Sequence, residues 1–252
     1  MPKETLDTRS YWEERLAAQT NLKGTGHRAF NLENNLWLYR TQRECLDQLL
    51  QAHQVEIPGK KVLDVGSGMG FFVDYYLSRQ AGQVVGLDLT ETSKHYLQEH
   101  YPDGIFYTAD ISEPELPFKD SFDIISAMGV LYHIVDEDRF RQALINLCGM
   151  LNPGGFLLIS DSFQKPLLPP ARHARLRALQ DYQPILEEYG VSMLALQPVY
   201  YISNQTFIPK VGPAVINGLK LGKFLYRLDN TIRRMKISNG SGLKTLLACK
   251  LT

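Results

Sequence analysis

The stretch from Lys61 to Asp88 constrains the fold of this chain more than any other part of the sequence. It begins with the apolar, strand-like run Val62–Val65 and passes directly into the glycine-rich segment Gly66–Gly70. A helix-like segment follows over Phe71–Arg79, and a second apolar run, Val84–Leu87, leads to an acid. The order of strand, glycine turn, helix, strand and acid predicts an α/β unit with parallel strands.

The glycines and the acid of this unit suit the binding of a nucleotide-like ligand. Glycines at alternate positions let the backbone turn sharply, and a ligand can approach the main chain because no Cβ stands in the way. The free N–H groups of the helix that follows are expected to point at the same spot. A carboxylate at the end of the next strand accepts hydrogen bonds from the two hydroxyls of a ribose, which is the role that we expect for Asp88.

The spacing of the glycines distinguishes two classes of cofactor. A dinucleotide fingerprint, G-x-G-x-x-G, needs its third glycine at position 71, where this chain has Phe71. Here the third glycine is Gly70, and Asp64 stands two residues before Gly66. This pattern resembles motif I of the class I S-adenosylmethionine-dependent methyltransferases, D/E-x-G-x-G-x-G. The resemblance implies that S-adenosyl-L-methionine is the cofactor and S-adenosyl-L-homocysteine the product.

Two further segments follow in the order that this family shows. Ile105–Ile111 has the pattern of a third strand that ends in an acid, and in the family such an acid bonds the adenine amino group while the next residue packs on the ring. Leu151–Gly155, which reads Leu-Asn-Pro-Gly-Gly, resembles the family's entry into its fifth strand. The cofactor-binding residues that the resemblance implies are Asp64, Gly66, Ser67, Gly68, Gly70, Asp88, Leu89, Asp110, Ile111 and Met128.

The resemblance also implies a fold class. It is an α/β, Rossmann-like three-layer sandwich, in which a seven-stranded, mostly parallel sheet with an antiparallel last strand carries helices on both faces. We expect residues 57–199 and 243–252 to form this methyltransferase core. Residues 1–56 are expected to be a helical segment that covers the active site, and residues 200–242 a helical insertion between the last two strands.

Several element boundaries are predicted from local patterns alone. The segment Leu22–His27 is too rich in glycine for a helix, whereas Ala171–Tyr189 reads as one. Pro153 and the two glycines after it are expected to turn the chain before a strand that begins at Phe156. Residues 215–236 read as a basic amphipathic helix; we favour its packing over the substrate side of the sheet, with peripheral membrane contact as the alternative.

The implied reaction is in-line transfer of the sulfonium methyl group to a nucleophile, so the protein has to align the acceptor and exclude water. A base whose pKa lies near neutral pH assists when the acceptor is an alcohol or a phenol. His133, just beyond the fourth predicted strand, is the first candidate for this base, and Tyr132 and His27 are further catalytic candidates. Substrate-binding candidates come from segments that cover the acceptor pocket in similar methyltransferases, although each residue has simple packing as its alternative role. They are Tyr11, Trp12, Tyr39 and His173.

Charge and cysteine content bear on partners and compartment. The chain has 27 basic and 27 acidic residues, which predicts no nucleic-acid partner, although the last 88 residues carry 13 Lys and Arg against 4 Asp and Glu. The three cysteines are far apart, which argues against disulfides and a zinc site, and the acids and histidines show no spacing typical of metal ligands. We therefore expect a cytoplasmic monomer or homodimer without a metal, which acts on a small molecule such as a natural product or sugar.

Two other functions stay open on the sequence. A nicotinamide-dependent oxidoreductase is disfavoured by Phe71 and by the absence of an obvious Tyr-x-x-x-Lys pair. A binding protein would keep the cofactor site and use the basic insertion to reach a partner or a membrane, without transferring a methyl group. Binding of S-adenosylmethionine rather than NAD separates the first alternative from a methyltransferase, and turnover separates the second.

Overall fold

A single seven-stranded sheet organises the part of the chain that the computed structural model describes, which is residues 7–164, 173–203, 212–235 and 242–252. The strand order is β3-β2-β1-β4-β5-β7-β6, and β7 runs antiparallel to both of its neighbours. The predicted fold class, with its antiparallel last strand, is confirmed. The strands are Lys61–Val65 (β1), Gln83–Asp88 (β2), Ile105–Thr108 (β3), Phe122–Met128 (β4), Leu151–Asp161 (β5), Val191–Pro198 (β6) and Lys244–Lys250 (β7).

Helices cover both faces of this sheet because the central strands carry apolar side chains on both faces. In β1, Leu63 and Val65 face one core, in which Phe140 of α6 and Tyr182 of α7 are buried. Val62 faces the other core, which holds residues of α3, α4 and α5. The helices are Thr8–Ala18 (α1), Leu22–Thr25 (α2), Leu32–Ala52 (α3), Phe71–Leu77 (α4), Glu91–His100 (α5), Glu137–Gly149 (α6), Leu179–Glu188 (α7), Gly212–Gly218 (α8) and Gly222–Arg234 (α9).

The register of the parallel strands brings their carboxyl ends to one edge of the sheet. Val65 of β1 lies opposite Leu87 of β2 and Ala127 of β4, and Asp88 lies opposite Thr108 of β3. The loops that follow these strands therefore open on the same edge, which is where open α/β sheets bind their ligands.

Two predicted boundaries near strands and turns are wrong. Leu22–Thr25 forms one turn of helix, because the side chain of Asn21 accepts the N–H of Lys23 and so caps it despite the glycine at position 24. The segment around Pro153 is already part of β5: Leu151 pairs with Phe122, and a register shift precedes the next pairs. The proline and glycines thus make an irregularity within the strand rather than a turn before it.

The helix predicted over 171–189 begins later, at Leu179; positions 171 and 172 lie outside the described residues. Residues 173–178 are not helical because their polar groups bond elsewhere. The N–H of Arg175 donates to the carbonyl of Tyr132 (2.7 Å), and the guanidinium of Arg177 donates to the carbonyl of Ile134 (2.8 Å). The side chain of Asp181 then accepts the N–H of Ala178 and starts the helix.

The predicted single helix of the insertion is two helices, α8 and α9, separated where Lys220 adopts a φ of 52°. Lys236, at the end of the predicted range, lies outside the described residues. Helix α9 packs on α3, with the rings of Trp37 and Tyr226 5.2 Å apart. Within the described residues, no helix is long and apolar enough to cross a membrane.

Candidate functional site

A cavity of about 640 Å³ lies at the carboxyl edge of the sheet. Its volume falls in the range of sites for small molecules and cofactors. Among the predicted site residues, those that line it are Gly66, Gly68, Asp88, Leu89, Asp110, Ile111, Met128, His133, Trp12 and Tyr39. Residues from the N-terminal helices, the glycine loop and the loops after β2, β3 and β4 thus meet around one space.

The glycine loop adopts a left-handed conformation that glycine tolerates better than other residues. Gly66, Gly68 and Gly70 have φ values of 72°, 50° and 81°. A Cβ at Gly66 would come within 2.3 Å of the Val130 side chain, and one at Gly68 within 2.5 Å of the Thr25 side chain. Both contacts are too short for any side chain, so glycine is required at these positions for packing as well as for φ.

Asp88 is held in place at the end of β2. Its Oδ2 atom accepts the N–H of Gly68 (2.9 Å), and its Oδ1 atom accepts the N–H (3.0 Å) and the hydroxyl (2.7 Å) of Thr90. Burial raises the pKa of Asp88, while these hydrogen bonds oppose the increase. The carboxylate is therefore oriented beside the glycine loop and lines the cavity, where it can accept hydrogen bonds from a diol.

Asp64 and Ser67 lie beneath the loop rather than on the cavity wall. The hydroxyl of Ser67 donates to the carbonyl of Asp64 (2.7 Å), and Ser126 donates to Oδ1 of Asp64 (2.8 Å). Oδ2 of Asp64 is buried and has no hydrogen-bond partner among the described residues. Burial raises the pKa of this carboxyl to about 7, so its charge responds to any cation placed near the loop.

The loop after β3 supplies a second acid. Oδ1 of Asp110 accepts the N–H (2.8 Å) and the hydroxyl (2.5 Å) of Ser112, and Oδ2 pairs with Arg139 of α6 at 2.7 Å. Ile111 beside it is buried, yet it contributes to the cavity wall. An acceptor group and an apolar surface are thus adjacent at this end of the cavity.

The N-terminal helices form the opposite wall. Trp12 and Leu16 of α1 line the cavity, as do Thr25 of α2 and Tyr39 of α3, whose hydroxyl donates to Thr25 (2.7 Å). The carboxylate of Glu13 accepts the N–H groups of residues 91 and 92 at 2.9 and 3.0 Å, together with the hydroxyl of Thr92. Helix α1 is therefore attached to the N-terminus of α5.

His133 lies in a short 3-10 helix, Leu131–His133, just beyond β4. Its Nδ1 atom is 2.9 Å from the carbonyl oxygen of His173, and since a carbonyl can only accept, the proton is on Nδ1. In the neutral ring, Nε2 is then an acceptor. Burial lowers the pKa of His133 to about 4, although the bond to the carbonyl opposes the shift. The ring is therefore neutral at pH 7, and its pKa lies below the near-neutral range that the sequence predicts because the ring is buried.

The chain that carries the His173 carbonyl is fixed by ion pairs. Arg177 is almost fully buried, and its guanidinium lies 3.8 Å from the ring centroid of Phe140 and 3.1 Å from the carboxylate of Glu137. Arg175 pairs with the same carboxylate. Glu137 thus holds residues 175–177 against the loop after β4, and this arrangement keeps the His173 carbonyl beside His133.

The other predicted site residues lie around this arrangement but do not line the cavity. Tyr11 stacks on His173 with ring centroids 5.0 Å apart, and His173 stacks on His133 at 5.5 Å. Tyr132 packs against His133, and burial raises its pKa well above the ordinary value. His27 is exposed and packs on Phe30, away from the cavity wall. Gly70 forms the N-cap of α4.

Some residues of the site are not predicted from the sequence. Arg9, Arg139 and Asp136 line the cavity, and Glu13 and Glu137 hold its walls together. An acid ahead of a helical run is a visible signal for Asp136, which caps α6. The side-chain partners of Arg139, Glu13 and Glu137 are distant in sequence, so no local pattern predicts these contacts. Within the described residues, no cluster of His, Cys, Asp and Glu could hold a metal ion.

Comparison with known proteins agrees with this geometry. Residues 63–159 match a protein family described as a methyltransferase domain. The chain is 34% identical over 113 residues to a tRNA U34 carboxymethyltransferase of Pseudoalteromonas atlantica, which covers 44% of this chain and 34% of that protein. It is 31% identical over 106 residues to a ubiquinone biosynthesis O-methyltransferase of Mesorhizobium japonicum, and this alignment covers 40% of this chain and 41% of that protein. The matched region thus spans less than half of these relatives.

A solved structure extends the likeness to nearly the whole fold. The magnesium protoporphyrin IX methyltransferase of Synechocystis superposes with a TM-score of 0.63 and 16% identity, covering 96% of this chain and 97% of that one. Fold and sequence therefore define the same class: residues 63–159 form a methyltransferase domain of the class I S-adenosylmethionine-dependent type. The family resemblance drawn from the glycine motif is confirmed.

Proposed function

We propose that this chain transfers a methyl group from S-adenosyl-L-methionine to a hydroxyl group of a small molecule. The observation that carries the proposal is the meeting of the glycine loop, Asp88 and Asp110 with the neutral ring of His133 on one cavity. The glycine loop allows a ligand to approach the main chain closely, Asp88 can accept hydrogen bonds from a diol, and Asp110 can accept one from an amine. The cofactor carries both a diol and an amine. His133 offers a proton acceptor in the same space.

The residues present fit this cofactor. Gly66 and Gly68 leave the loop without side chains where a Cβ would collide with Val130 or Thr25. Asp64 keeps an unpaired buried oxygen behind the loop, and a bound cation would favour its ionised form. When bound, S-adenosylmethionine supplies the activated methyl group, and the chain itself supplies alignment and exclusion of water.

His133 would act on the acceptor hydroxyl. Its Nε2 atom is an acceptor, and the ring is neutral over the physiological pH range. It can therefore take the hydroxyl proton as the oxygen attacks, although burial makes it a weaker base than an ordinary histidine. The Nδ1–H bond to the His173 carbonyl partly stabilises the positive charge that develops on the ring. Trp12 and Tyr39 would keep the acceptor against this edge and displace water.

Charge on the cavity wall favours a small acceptor over a nucleic acid, even though one relative is a tRNA-modifying enzyme. Five carboxylates line the cavity and only two guanidinium groups do. A phosphate backbone is attracted by Lys and Arg and repelled by such a wall. The acids are Asp7, Asp88, Asp110, Glu113 and Asp136, and the bases are Arg9 and Arg139.

Calorimetric titration with S-adenosylmethionine, S-adenosylhomocysteine and NAD tests the cofactor. We expect the first two to bind and NAD not to bind. Asp88→Ala should weaken binding about 10-fold to 100-fold, the effect of losing hydrogen bonds to a charged group. Asp103→Ala, at an exposed acid remote from the cavity wall, is the matched control. NAD binding, or an Asp88→Ala variant with unchanged affinity, would contradict the proposal.

The acceptor is sought by mass spectrometry of small molecules that gain a methyl group when a metabolite extract is incubated with the chain and labelled cofactor. A labelled O-methyl product is the expected result. Methylation of a nitrogen or carbon would correct the acceptor class while leaving methyl transfer intact. Tight cofactor binding with no labelled product from any extract would instead favour a protein that binds the cofactor without using it.

A further inference from the structure

The insertion after β6 displays large apolar side chains to solvent. Leu219 and Met235 are each 67% exposed, Phe224 is 62% exposed and Val215 is 44% exposed. These are four of the ten exposed large hydrophobic residues among the described parts of the chain, and they fall within 21 consecutive positions. Such a concentration of apolar surface marks an interaction site rather than ordinary scatter.

The exposed charges of the same segment are all positive. Lys220, Lys223, Arg227 and Arg234 are exposed, whereas the segment's one described acid, Asp229, is fully buried. Asp229 is directed inward, where it accepts the N–H groups of residues 201 and 202 at 3.0 and 2.7 Å. The outer surface of residues 212–235 therefore combines cations with apolar groups and presents no described carboxylate of its own.

The inner side of α9 fixes which residues face outward. Gly222 lies against Trp37 of α3, where a Cβ would come within 2.7 Å of the indole, and the ring of Tyr226 packs on the same tryptophan. Arg233 is buried and bonds the carbonyl of Val199. With this side attached to the core, Lys223, Phe224 and Arg227 remain on the opposite, solvent-facing side. We name the exposed residues 215, 219, 220, 223, 224, 227, 234 and 235 the basic-apolar face.

We propose that the basic-apolar face binds the surface of an anionic phospholipid membrane. Phosphate headgroups complement its cations, and the exposed phenyl and aliphatic side chains reach the apolar boundary below the headgroups. An acidic protein surface would match the cations but would not require apolar groups that project between them. None of the described residues of the insertion lines the cavity, so this inference is independent of the proposed methyl transfer.

Sedimentation with vesicles of equal parts phosphatidylglycerol and phosphatidylcholine tests the proposal on the full chain. We expect binding at low salt, weaker binding at high salt because exposed charges are screened, and little binding to pure phosphatidylcholine. The double variant Lys223→Gln/Phe224→Ser removes one cation and one apolar group. It should lower the partition coefficient at least about 10-fold, since each basic residue near such a surface contributes about fivefold and a buried phenyl group more.

The matched control changes the same kinds of residue elsewhere. Lys119 is exposed and Leu194 is 45% exposed, so Lys119→Gln/Leu194→Ser should bind vesicles as the unaltered chain does. Unchanged thermal unfolding and cofactor affinity in both double variants would show that the fold is intact. Absence of binding to the anionic vesicles at low salt would overturn the proposal. An equal loss of vesicle binding in both double variants would also overturn it. So would binding to polyglutamate that is as tight as binding to vesicles and is unchanged in the single variant Phe224→Ser, because the apolar group would then have no role.

Discussion

The protonation state of His133 is the most directly testable part of the catalytic proposal, because it can be measured without knowing the acceptor. Burial lowers the pKa of the ring to about 4, against about 6.5 for an ordinary histidine. At a pH of about 5.5, roughly nine-tenths or more of His133 rings should therefore be neutral, compared with roughly one-tenth of unperturbed rings. The proton of the neutral ring should lie on Nδ1, which donates to the His173 carbonyl.

Nitrogen-15 NMR of the histidine rings measures both quantities. The chain has six histidines, and the signals of His133 are identified by their absence from His133→Asn. We expect a titration midpoint near pH 4 and the shifts of an Nδ1–H tautomer. A midpoint at or above about 6 would refute the reasoning, because the ring would then lack the buried environment that lowers its pKa. An Nε2–H tautomer would refute it as well, because the ring could then not accept the proton at Nε2.

Two substitutions carry the same prediction into turnover once an acceptor is known. In His133→Asn, the side-chain amide can still donate to the His173 carbonyl, but the acceptor at Nε2 is lost. Turnover should fall about 10²-fold to 10⁴-fold, the usual contribution of a general base, while cofactor affinity stays within about twofold. His133→Gln places an amide nearer to Nε2 and serves as the comparison. A variant with asparagine that keeps its turnover would make His133 a structural residue.

Three further predictions concern residues that support the cavity without lining it. Glu13→Gln should increase the rate of S-adenosylhomocysteine release about 10-fold in stopped-flow fluorescence, because the carboxylate that bonds α1 to α5 loses its charge. The control Glu14→Gln, at an exposed neighbouring residue, should leave this release rate unchanged. Calorimetry in buffers of different ionisation enthalpy should detect proton release on cofactor binding near pH 7, since a cationic ligand lowers the pKa of Asp64 from about 7, and Asp64→Asn should abolish that release. Arg177→Met should lower the free energy of unfolding by about 2–4 kcal/mol in urea titrations, because the Ile134 carbonyl and the Glu137 carboxylate lose their buried guanidinium partner. The control Arg175→Met, at a side chain that is 54% exposed, should lower it by less than about 1 kcal/mol.

The sheet and the cofactor loop were predictable because their signals are local. Val62–Val65 and Val84–Leu87 are short apolar runs buried on both faces, and the glycines between them stand where only glycine fits. Parallel order then places the acid after β2 beside the loop without further information. These features depend on residues within about thirty positions of one another, so the sequence pattern contains them.

The environment of His133 was not predictable in the same way. Its position after β4 follows from the sequence, but its tautomer depends on a carbonyl forty residues away. The helix predicted over Ala171–Tyr189 would have used that carbonyl within the helix, but residues 173–178 are not helical because Arg175 and Arg177 pair with Glu137. Helical propensity lost to tertiary ion pairs, which a pattern of apolar residues does not reveal.

The attachment of α1 by Glu13 has a consequence for the order of events in a catalytic cycle. Helix α1 contributes Trp12 and Leu16 to the cavity wall, and the carboxylate of Glu13 bonds it to α5, so the docked helix shields this side of the cavity from bulk water. If ligands enter and leave by undocking of α1, this contact has to break in each cycle, and the rate of turnover would then depend on a surface hydrogen bond that touches no reacting atom. A change of charge at Glu13 would alter how long a product stays, and so how strongly it inhibits, without altering the chemistry of methyl transfer.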